Sequence, residues 1–244
     1  MLLLKRKGTM YTKEIDSQFI QEKKELKIYE PETLSSADPY TICIMQDGND
    51  YFQLGRVATI SDRLHESGEL INTIFVGIHY LDKEDRKRKY HPNGDQYDAY
   101  VQFLTDEVIP FLDELLPYNP NESIHALMGD SLAGTIALMA GISHPDLFTH
   151  VIMQSPYIDE EVMNRVSYSA NDLTNVYHSI GLQETAVETS FNRSVDFVAP
   201  NRELEEVLAS KTDEYTYEEI AEGNHTWKYW QKELPDVIKL MFSI

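Results

Sequence analysis

The sequence predicts an α/β fold in which a mainly parallel central sheet carries helices on both faces. Short apolar runs alternate along the chain with longer amphipathic stretches, which is the pattern of βαβ crossovers. The runs at 40–46 and 71–79 are largely apolar, as is typical of strands buried on both faces. The chain has 244 residues, of which 42% are hydrophobic. Because this is enough for one large core, we expect residues 1–244 to form a single domain.

The strands can be assigned in order along the chain. Residues 9–30 contain two strands that join near Asp16. Because no helix separates them, they predict an antiparallel hairpin at one edge of the sheet. The later strands are predicted at 40–46, 71–79, 123–128, 149–154, 175–180 and 214–220.

The clearest helix covers residues 97–116, where apolar residues recur at helical spacing and form one stripe. Stretch 81–96 is predicted as a polar loop, and 155–174 as a less regular region. The basic run at 86–89 is therefore predicted to be solvated, and a role in holding an anionic substrate is the alternative. The other helices are predicted at 56–66, 132–142, 200–210 and 226–242.

Composition excludes several classes of partner. The net charge is −20, from 21 Lys and Arg against 41 Asp and Glu, and such a surface repels nucleic-acid phosphates. No apolar stretch has the length of a membrane span. Residues 1–7 carry their basic cluster after the leucines, unlike a secretion signal, so a cytoplasmic protein is expected.

The lone Cys43 lies in a predicted strand and is assigned to the core. The sequence leaves the oligomeric state open, homo-oligomers included.

The chemistry of the sequence centres on Ser131. An apolar strand leads into Gly129-Asp-Ser-Leu-Ala-Gly134, and a helix of small residues follows. This is the context of a nucleophile elbow, in which small residues on either side of the serine let the strand and the helix pass closely. Gly129 and Ala133 occupy these positions, Ala133 in place of the usual glycine. The alternative is a tight turn in which the Ser131 hydroxyl caps the helix.

His225 is the predicted general base. In the α/β-hydrolase fold the triad follows the order serine, acid, histidine, so the base lies after Ser131. His225 stands in a loop between the last strand and the last helix, where that fold delivers its histidine. His144, His150 and His178 lie in or beside predicted helices and strands and are assigned structural or surface roles.

Two carboxylates compete for the role of the acid. Glu184 lies just past the end of the strand at 175–180, and Asp196 follows twelve residues later. Glu184 is preferred because it directly follows the strand, and Asp196 remains the second candidate. Whichever one is not the acid is then a solvated loop carboxylate.

An oxyanion hole needs two backbone N–H groups. The first is assigned to Leu132, which follows the serine, and the second to Asn49, in the glycine turn after the strand at 40–46. Asp47 and Asp50 lie in the same turn, but no His or Cys stands near them at ligand spacing, so no metal site is predicted. Four aromatic residues beside these loops are candidates to line the substrate pocket, with core or rim packing as the alternative: Tyr51, Phe52, Tyr157 and Trp227.

Three segments resemble a family of α/β-hydrolase esterases that includes esterase D, feruloyl esterases and enterochelin esterase. They are residues 45–52, 128–134 and 222–230, and the resemblance extends over nearly the whole chain. Asn224 replaces the second glycine of the family's Gly-Gly-His pattern. The family usually places its acid three residues after a glycine, which supports Glu184, while an apparent insertion at 185–200 keeps Asp196 under consideration.

The resemblance implies hydrolysis of a small-molecule carboxylic ester without a metal or other cofactor. In the predicted mechanism, Ser131 forms an acyl-enzyme and His225 acts as the general base. Two alternatives remain at the level of sequence. An acyltransferase or peptidase would use the same triad, and a non-catalytic binding module would keep only the fold.

Overall fold

A mixed eight-stranded sheet organises the part of the chain that the computed structural model describes, namely residues 6–35, 39–70, 72–116, 119, 122–189, 191 and 193–243. A separate two-stranded hairpin lies outside this sheet. In chain order the strands are β1 (Thr9–Ser17), β2 (Glu22–Glu30), β3 (Thr41–Gln46), β4 (Thr73–Ile78), β5 (Ile124–Asp130), β6 (His150–Gln154), β7 (Leu173–Gly181), β8 (Val187–Glu188), β9 (Ser194–Val195) and β10 (Thr212–Ile220).

The helices fill the connections between these strands. The chain from Tyr97 to Leu115 is helical throughout and contains a π-helical segment, Phe103–Val108, between two α-helices. The α-helices are α1 (Gly48–Gln53), α2 (Val57–Glu66), α3 (Lys83–Tyr90), α4 (Tyr97–Gln102), α5 (Ile109–Leu115), α6 (Leu132–Ser143), α7 (Glu160–Tyr168), α8 (Val198–Leu208) and α9 (Trp227–Phe242).

The strand order in the sheet is β1-β2-β4-β3-β5-β6-β7-β10. The strands from β4 to β10 in this order pair in parallel. β2 is antiparallel to both of its neighbours, so β1 and β2 form the predicted antiparallel hairpin at one edge. The mainly parallel α/β-hydrolase-type sheet predicted from the sequence is confirmed.

Helices pack on both faces of the sheet, because alternate strand residues point in opposite directions. Ile42 and Ile44 of β3 join a core that also contains buried residues of the helices α3 to α8. Cys43 and Met45 face the other way, into a core formed with α1, α2 and α9. Cys43 is fully buried, as its strand position predicted.

Helix α6 occupies the centre of the first layer. Its residues from Leu132 to Ile142 are all buried, and it contacts both β5 and β6. A helix buried on all sides needs small residues where other elements approach closely. Its run of alanines and glycines meets this need and fixes the helix directly behind Ser131.

Three helices lie where the sequence predicted none, and those predictions were wrong. Helix α3 lies in the supposed polar loop 81–96; the Asp82 carboxylate caps it by accepting from the N–H groups of Glu84 and Asp85. Helix α7 lies in the supposedly irregular 155–174 and is capped by Asp159. Helix α1 replaces the glycine turn expected after β3. All three are short, and α3 has almost no apolar periodicity to reveal it.

The other boundaries lie close to the predicted ones. The first two strands join at residues 18–21, slightly beyond Asp16, and the last helix continues through Pro235. Within the described ranges, every helix is too short or too polar to cross a membrane.

Candidate active site

Ser131 stands at a sharp turn between β5 and α6. Its backbone has φ 52° and ψ −126°, a strained conformation for a residue with a side chain. The turn requires close passage of its two arms: a Cβ on Gly129 would lie 2.1 Å from the Ala133 carbonyl oxygen. The Ser131 N–H donates to the Gln154 carbonyl on the neighbouring strand, at 2.9 Å. The local geometry is that of a nucleophile elbow.

His225 reaches Ser131 from the loop between β10 and α9. Its Nε2 lies 2.9 Å from the Ser131 Oγ. Two aromatic rings hold the imidazole edge to face: Phe197 at 4.6 Å and Trp230 at 4.9 Å between ring centres. The ring is therefore fixed by packing as well as by hydrogen bonds.

Glu184 completes a chain of hydrogen bonds. Its Oε2 lies 2.7 Å from the His225 Nδ1, and the residue is 1% exposed. Its Oε1 accepts from the Gly181 N–H at 3.1 Å and from the Ser155 hydroxyl at 2.7 Å. A carboxylate buried with this set of donors holds the imidazole in one tautomer and orientation.

Asp196 serves a different purpose. Its Oδ1 accepts from the Val198 N–H at 2.7 Å, where α8 begins. Of the two carboxylates left open by the sequence, the structure brings Glu184 to His225, and Asp196 satisfies a backbone donor at the start of α8.

Ser131 and His225 face an open cavity of about 480 Å³. Strand β8, with Thr189 and Phe191 after it, lines one side of the cavity, and helix α3 lines another. Tyr157 is the one of the four predicted pocket residues that lies on its wall. The described residues that line the cavity are Lys83, Arg86, Ser131, Leu132, Tyr157, Val187, Glu188, Thr189, Phe191, Phe197 and His225.

The other three predicted pocket residues pack in the core formed with α1, α2 and α9. Tyr51 is fully buried and donates its hydroxyl to the Gln154 Oε1, at 3.0 Å. Trp227 stacks edge to face on Tyr51, and Phe52 packs beside the same core. For these three residues the alternative of core packing is the one that the structure shows.

The two predicted oxyanion residues lie in different places. Leu132 is the first residue of α6, where backbone N–H groups have no partner within the helix, and it lines the cavity. The Asn49 side chain accepts from Lys27 and borders another depression, next to β2 and Gly77. The described lining of the Ser131 cavity does not include Asn49.

Arg86 belongs to the basic run that was predicted to be a solvated loop. It lies instead on helix α3, its side chain is largely buried, and it lines the cavity. Its guanidinium binds the Asp47 Oδ2 through Nε at 2.9 Å and Nη2 at 2.6 Å, and Nη2 reaches the Asp130 carbonyl at 3.3 Å. Although burial disfavours its charge, the Asp47 carboxylate raises the pKa of Arg86. Burial, and then repulsion from Asp47, raises the pKa of Asp130 well above its usual range. The ion pair with Asp47 thus holds the positive charge of Arg86 in the wall of the cavity that Ser131 also lines.

The arrangement supplies a hydroxyl, an imidazole and a carboxylate in hydrogen-bond contact beside a helix N-terminus, which are the groups that acyl transfer uses. A model of the family described as "Putative esterase" matches residues 17–241. The chain belongs to this esterase family. Members of the esterase family are hydrolases, and the predicted family resemblance is confirmed.

Similar proteins cover most of this esterase-family chain. "Uncharacterized protein YjcH" of Bacillus subtilis (strain 168) is 37% identical over 238 residues, which are 97% of this chain and 98% of that protein. The enterobactin esterase FES of Shigella flexneri has a TM-score of 0.80 at 17% identity; the alignment covers 96% of this chain but only 58% of that one.

Two further solved structures match in full length. The siderophore hydrolase EstB of Aspergillus nidulans has a TM-score of 0.76 at 17% identity, and the alignment covers 100% of this chain and 96% of the EstB chain. The BES protein of Bacillus cereus has a TM-score of 0.74 at 17% identity, with 100% and 98% covered. At these identities the likeness shows a shared fold.

Proposed function

We propose that this esterase-family protein is a serine carboxylic-ester hydrolase, with Ser131 as nucleophile, His225 as general base and Glu184 as the acid. One observation carries the proposal. The Ser131 Oγ, both nitrogens of His225 and the Glu184 Oε2 form a continuous hydrogen-bonded chain, with separations of 2.9 and 2.7 Å, beside an open cavity.

The first half of the proposed reaction forms an acyl-enzyme. His225 Nε2 takes the proton of Ser131 Oγ as this oxygen bonds to the ester carbonyl carbon. Negative charge develops on the former carbonyl oxygen, and the Leu132 N–H at the start of α6 stabilises it, aided by the positive end of that helix. The bond between the carbonyl carbon and the alcohol oxygen then breaks, and Nε2 returns the proton to the alcohol.

The second half releases the acid. Water gives a proton to His225 Nε2 as its oxygen bonds to the acyl carbon. The bond between that carbon and the Ser131 Oγ then breaks, and Nε2 returns the proton to the Oγ. In both halves His225 is transiently positive. Glu184, buried and 2.7 Å from Nδ1, stabilises this charge without taking the proton itself.

The proposed substrate is a small-molecule ester that fits a cavity of about 480 Å³. Lys83 and Arg86 place positive charge in the cavity wall, and Glu188 places negative charge there. A substrate screen that varies acyl length and charge identifies the preferred ester. Enterobactin belongs in that screen, because an esterase named for it shares the fold.

The decisive experiment replaces the nucleophile. Ser131→Ala should lower kcat for p-nitrophenyl butyrate by several orders of magnitude, since removal of the serine from a comparable triad costs about 10⁶-fold. A fluorophosphonate should label the wild-type protein on Ser131, as located by peptide mass spectrometry.

The matched control is Ser143→Ala, in the same helix α6. Ser143 is exposed and its hydroxyl donates to the Met139 carbonyl at 2.7 Å, so this variant should keep full activity. If Ser131→Ala kept more than about a tenth of the wild-type kcat, against the loss expected of a triad nucleophile, the proposed function would be wrong.

A further inference from the structure

The hydrogen-bonded chain at Ser131 has a buried layer behind it, at the carboxyl end of β6. Ser155 directly follows that strand and is 1% exposed. Like Ser131 it has a positive φ, of 47°, a region that residues with a Cβ seldom adopt. Its N–H donates to the Ser179 carbonyl on β7 at 2.8 Å. The surrounding structure therefore holds Ser155 in a strained conformation.

The Ser155 hydroxyl lies between Glu184 and Trp230. Its Oγ is 2.7 Å from the Glu184 Oε1, and the Trp230 Nε1 is 3.1 Å from the same Oγ. An indole N–H can only donate, and an ionised carboxylate can only accept. The hydroxyl must therefore accept from Trp230 and donate to Glu184, so its two neighbours determine the direction of its proton.

This contact divides the two oxygens of Glu184 between two tasks. Oε1 accepts from the Ser155 hydroxyl and from the Gly181 N–H, whereas Oε2 faces His225. Rotation of the carboxyl group out of this plane would lengthen the contacts of both oxygens, and both donors to Oε1 oppose it. Ser155 is not part of the described cavity lining, so its hydroxyl acts on the site through the two side chains it contacts, Glu184 and Trp230.

We propose that Ser155 is a positioning residue for the reaction. Its hydroxyl holds the Glu184 carboxylate in the orientation that His225 requires, and Trp230 directs that hydroxyl. Trp230 also packs edge to face on His225, so one side chain supports both ends of the contact between the acid and the base. This inference rests on the proposed function.

Two variants separate the hydroxyl from the backbone strain. Ser155→Ala removes the hydroxyl and keeps the strained φ, whereas Ser155→Gly removes both, because glycine accepts a positive φ freely. Both should lower kcat for p-nitrophenyl butyrate by about 10–100-fold, which is the loss observed in metalloproteins when the hydrogen-bond partner of a metal-binding side chain is removed. KM should be unchanged. Wild-type kcat in Ser155→Gly would overturn the proposal.

A double-variant cycle tests whether Ser155 acts through Glu184. Once Glu184→Gln has removed the carboxylate, adding Ser155→Ala should change kcat by less than about threefold, because coupled residues are not additive. An equal fold-loss in both backgrounds would overturn the positioning role. Trp230→Phe, which keeps a ring against His225, should lower kcat less than Ser155→Ala does; wild-type kcat there would remove Trp230 from the proposal.

The control is Ser61→Ala on α2. Ser61 is also fully buried, and its hydroxyl contacts the His65 Nδ1 at 3.2 Å, far along the chain from the candidate site. This variant should lower the melting temperature and leave kcat unchanged. The two proposals fail separately. Activity in Ser131→Ala would refute the serine mechanism. If Ser131→Ala is inactive but the Ser155 variants keep the wild-type kcat, only the positioning role is refuted.

Discussion

Glu184 and Asp196, the two candidate acids that follow β7, differ in burial. Glu184 is 1% exposed, and its oxygens accept three hydrogen bonds, from Gly181, Ser155 and His225. Asp196 accepts from the backbone of Val198 at the surface end of α8. A buried carboxylate with one oxygen on an imidazole is suited to stabilise a developing positive charge, and a carboxylate engaged in a helix start is not.

Exchange of each carboxylate for its amide tests this difference. Glu184→Gln should lower kcat by about 10⁴-fold, as in a comparable triad, because the amide favours the wrong imidazole tautomer. Asp196→Asn keeps an oxygen for the Val198 N–H and should keep near wild-type kcat, with a stability change within about 0.5 kcal/mol. The measurement is steady-state hydrolysis of p-nitrophenyl butyrate. The opposite pair of results would assign the acid to Asp196.

At the scale of elements, the site depends on how closely β5 and α6 pass each other. The strained turn at Ser131 is possible because Gly129 has no Cβ in a space that the Ala133 carbonyl fills. Ala133 itself is fully buried, so its methyl group fits where the sequence pattern more often has glycine. The packing on that arm of the turn therefore accommodates the departure from the usual motif.

Gly129→Ala should open the turn. The new Cβ would lie 2.1 Å from a backbone oxygen, so one arm must shift, and a shift of about 1 Å at a catalytic group costs about 10²-fold in rate. We expect that loss in kcat together with a lower melting temperature. Gly68→Ala is the control: its φ is +72° and no atom lies within 4 Å of the added Cβ, so it should destabilise by about 1 kcal/mol and leave kcat unchanged.

At the scale of the whole molecule, a buried histidine links stability to pH. His178 on β7 is 0% exposed, and burial lowers its pKa to about 4. Its Nε2 lies 2.7 Å from the Asn201 Oδ1, and its Nδ1 lies 2.8 Å from the Tyr215 hydroxyl. Asn201 uses its amide N–H groups on the Pro156 and Phe197 carbonyls. The neutral ring that donates from Nε2 therefore satisfies every partner.

This histidine should destabilise the fold as the pH falls. In the unfolded chain His178 is protonated below about pH 6.5, whereas in the folded chain it stays neutral down to about pH 4. The stability present above pH 6.5 is therefore lost on acidification, by about 2 kcal/mol at pH 5 from this residue alone. Urea unfolding at pH 7 and pH 5 measures it. His178→Gln cannot be protonated and should lose about 2 kcal/mol less between those pH values; equal losses would contradict the assignment.

The sequence by itself determined the fold class, the edge hairpin and the serine turn. Alternation of apolar runs with amphipathic stretches depends on residues close in the chain, and so does a strand that leads into Gly129-Asp-Ser131. The position of His225 followed from the order of elements. Helix α3 was missed because its burial involves ion pairs, such as Lys89 with Asp85 and Glu22, rather than an apolar stripe.

Only the tertiary structure decided which carboxylate faces His225, because Glu184 and Asp196 both follow β7 and differ only in the path of the loop between them. It also separated Tyr157, on the cavity wall, from Tyr51, in the core. Neighbouring residues of one loop or helix point in different directions, and the direction of a side chain is set by the elements that pack against it. For the same reason Arg86, from a run that reads as solvated, lies fixed in the wall of the cavity that Ser131 also lines.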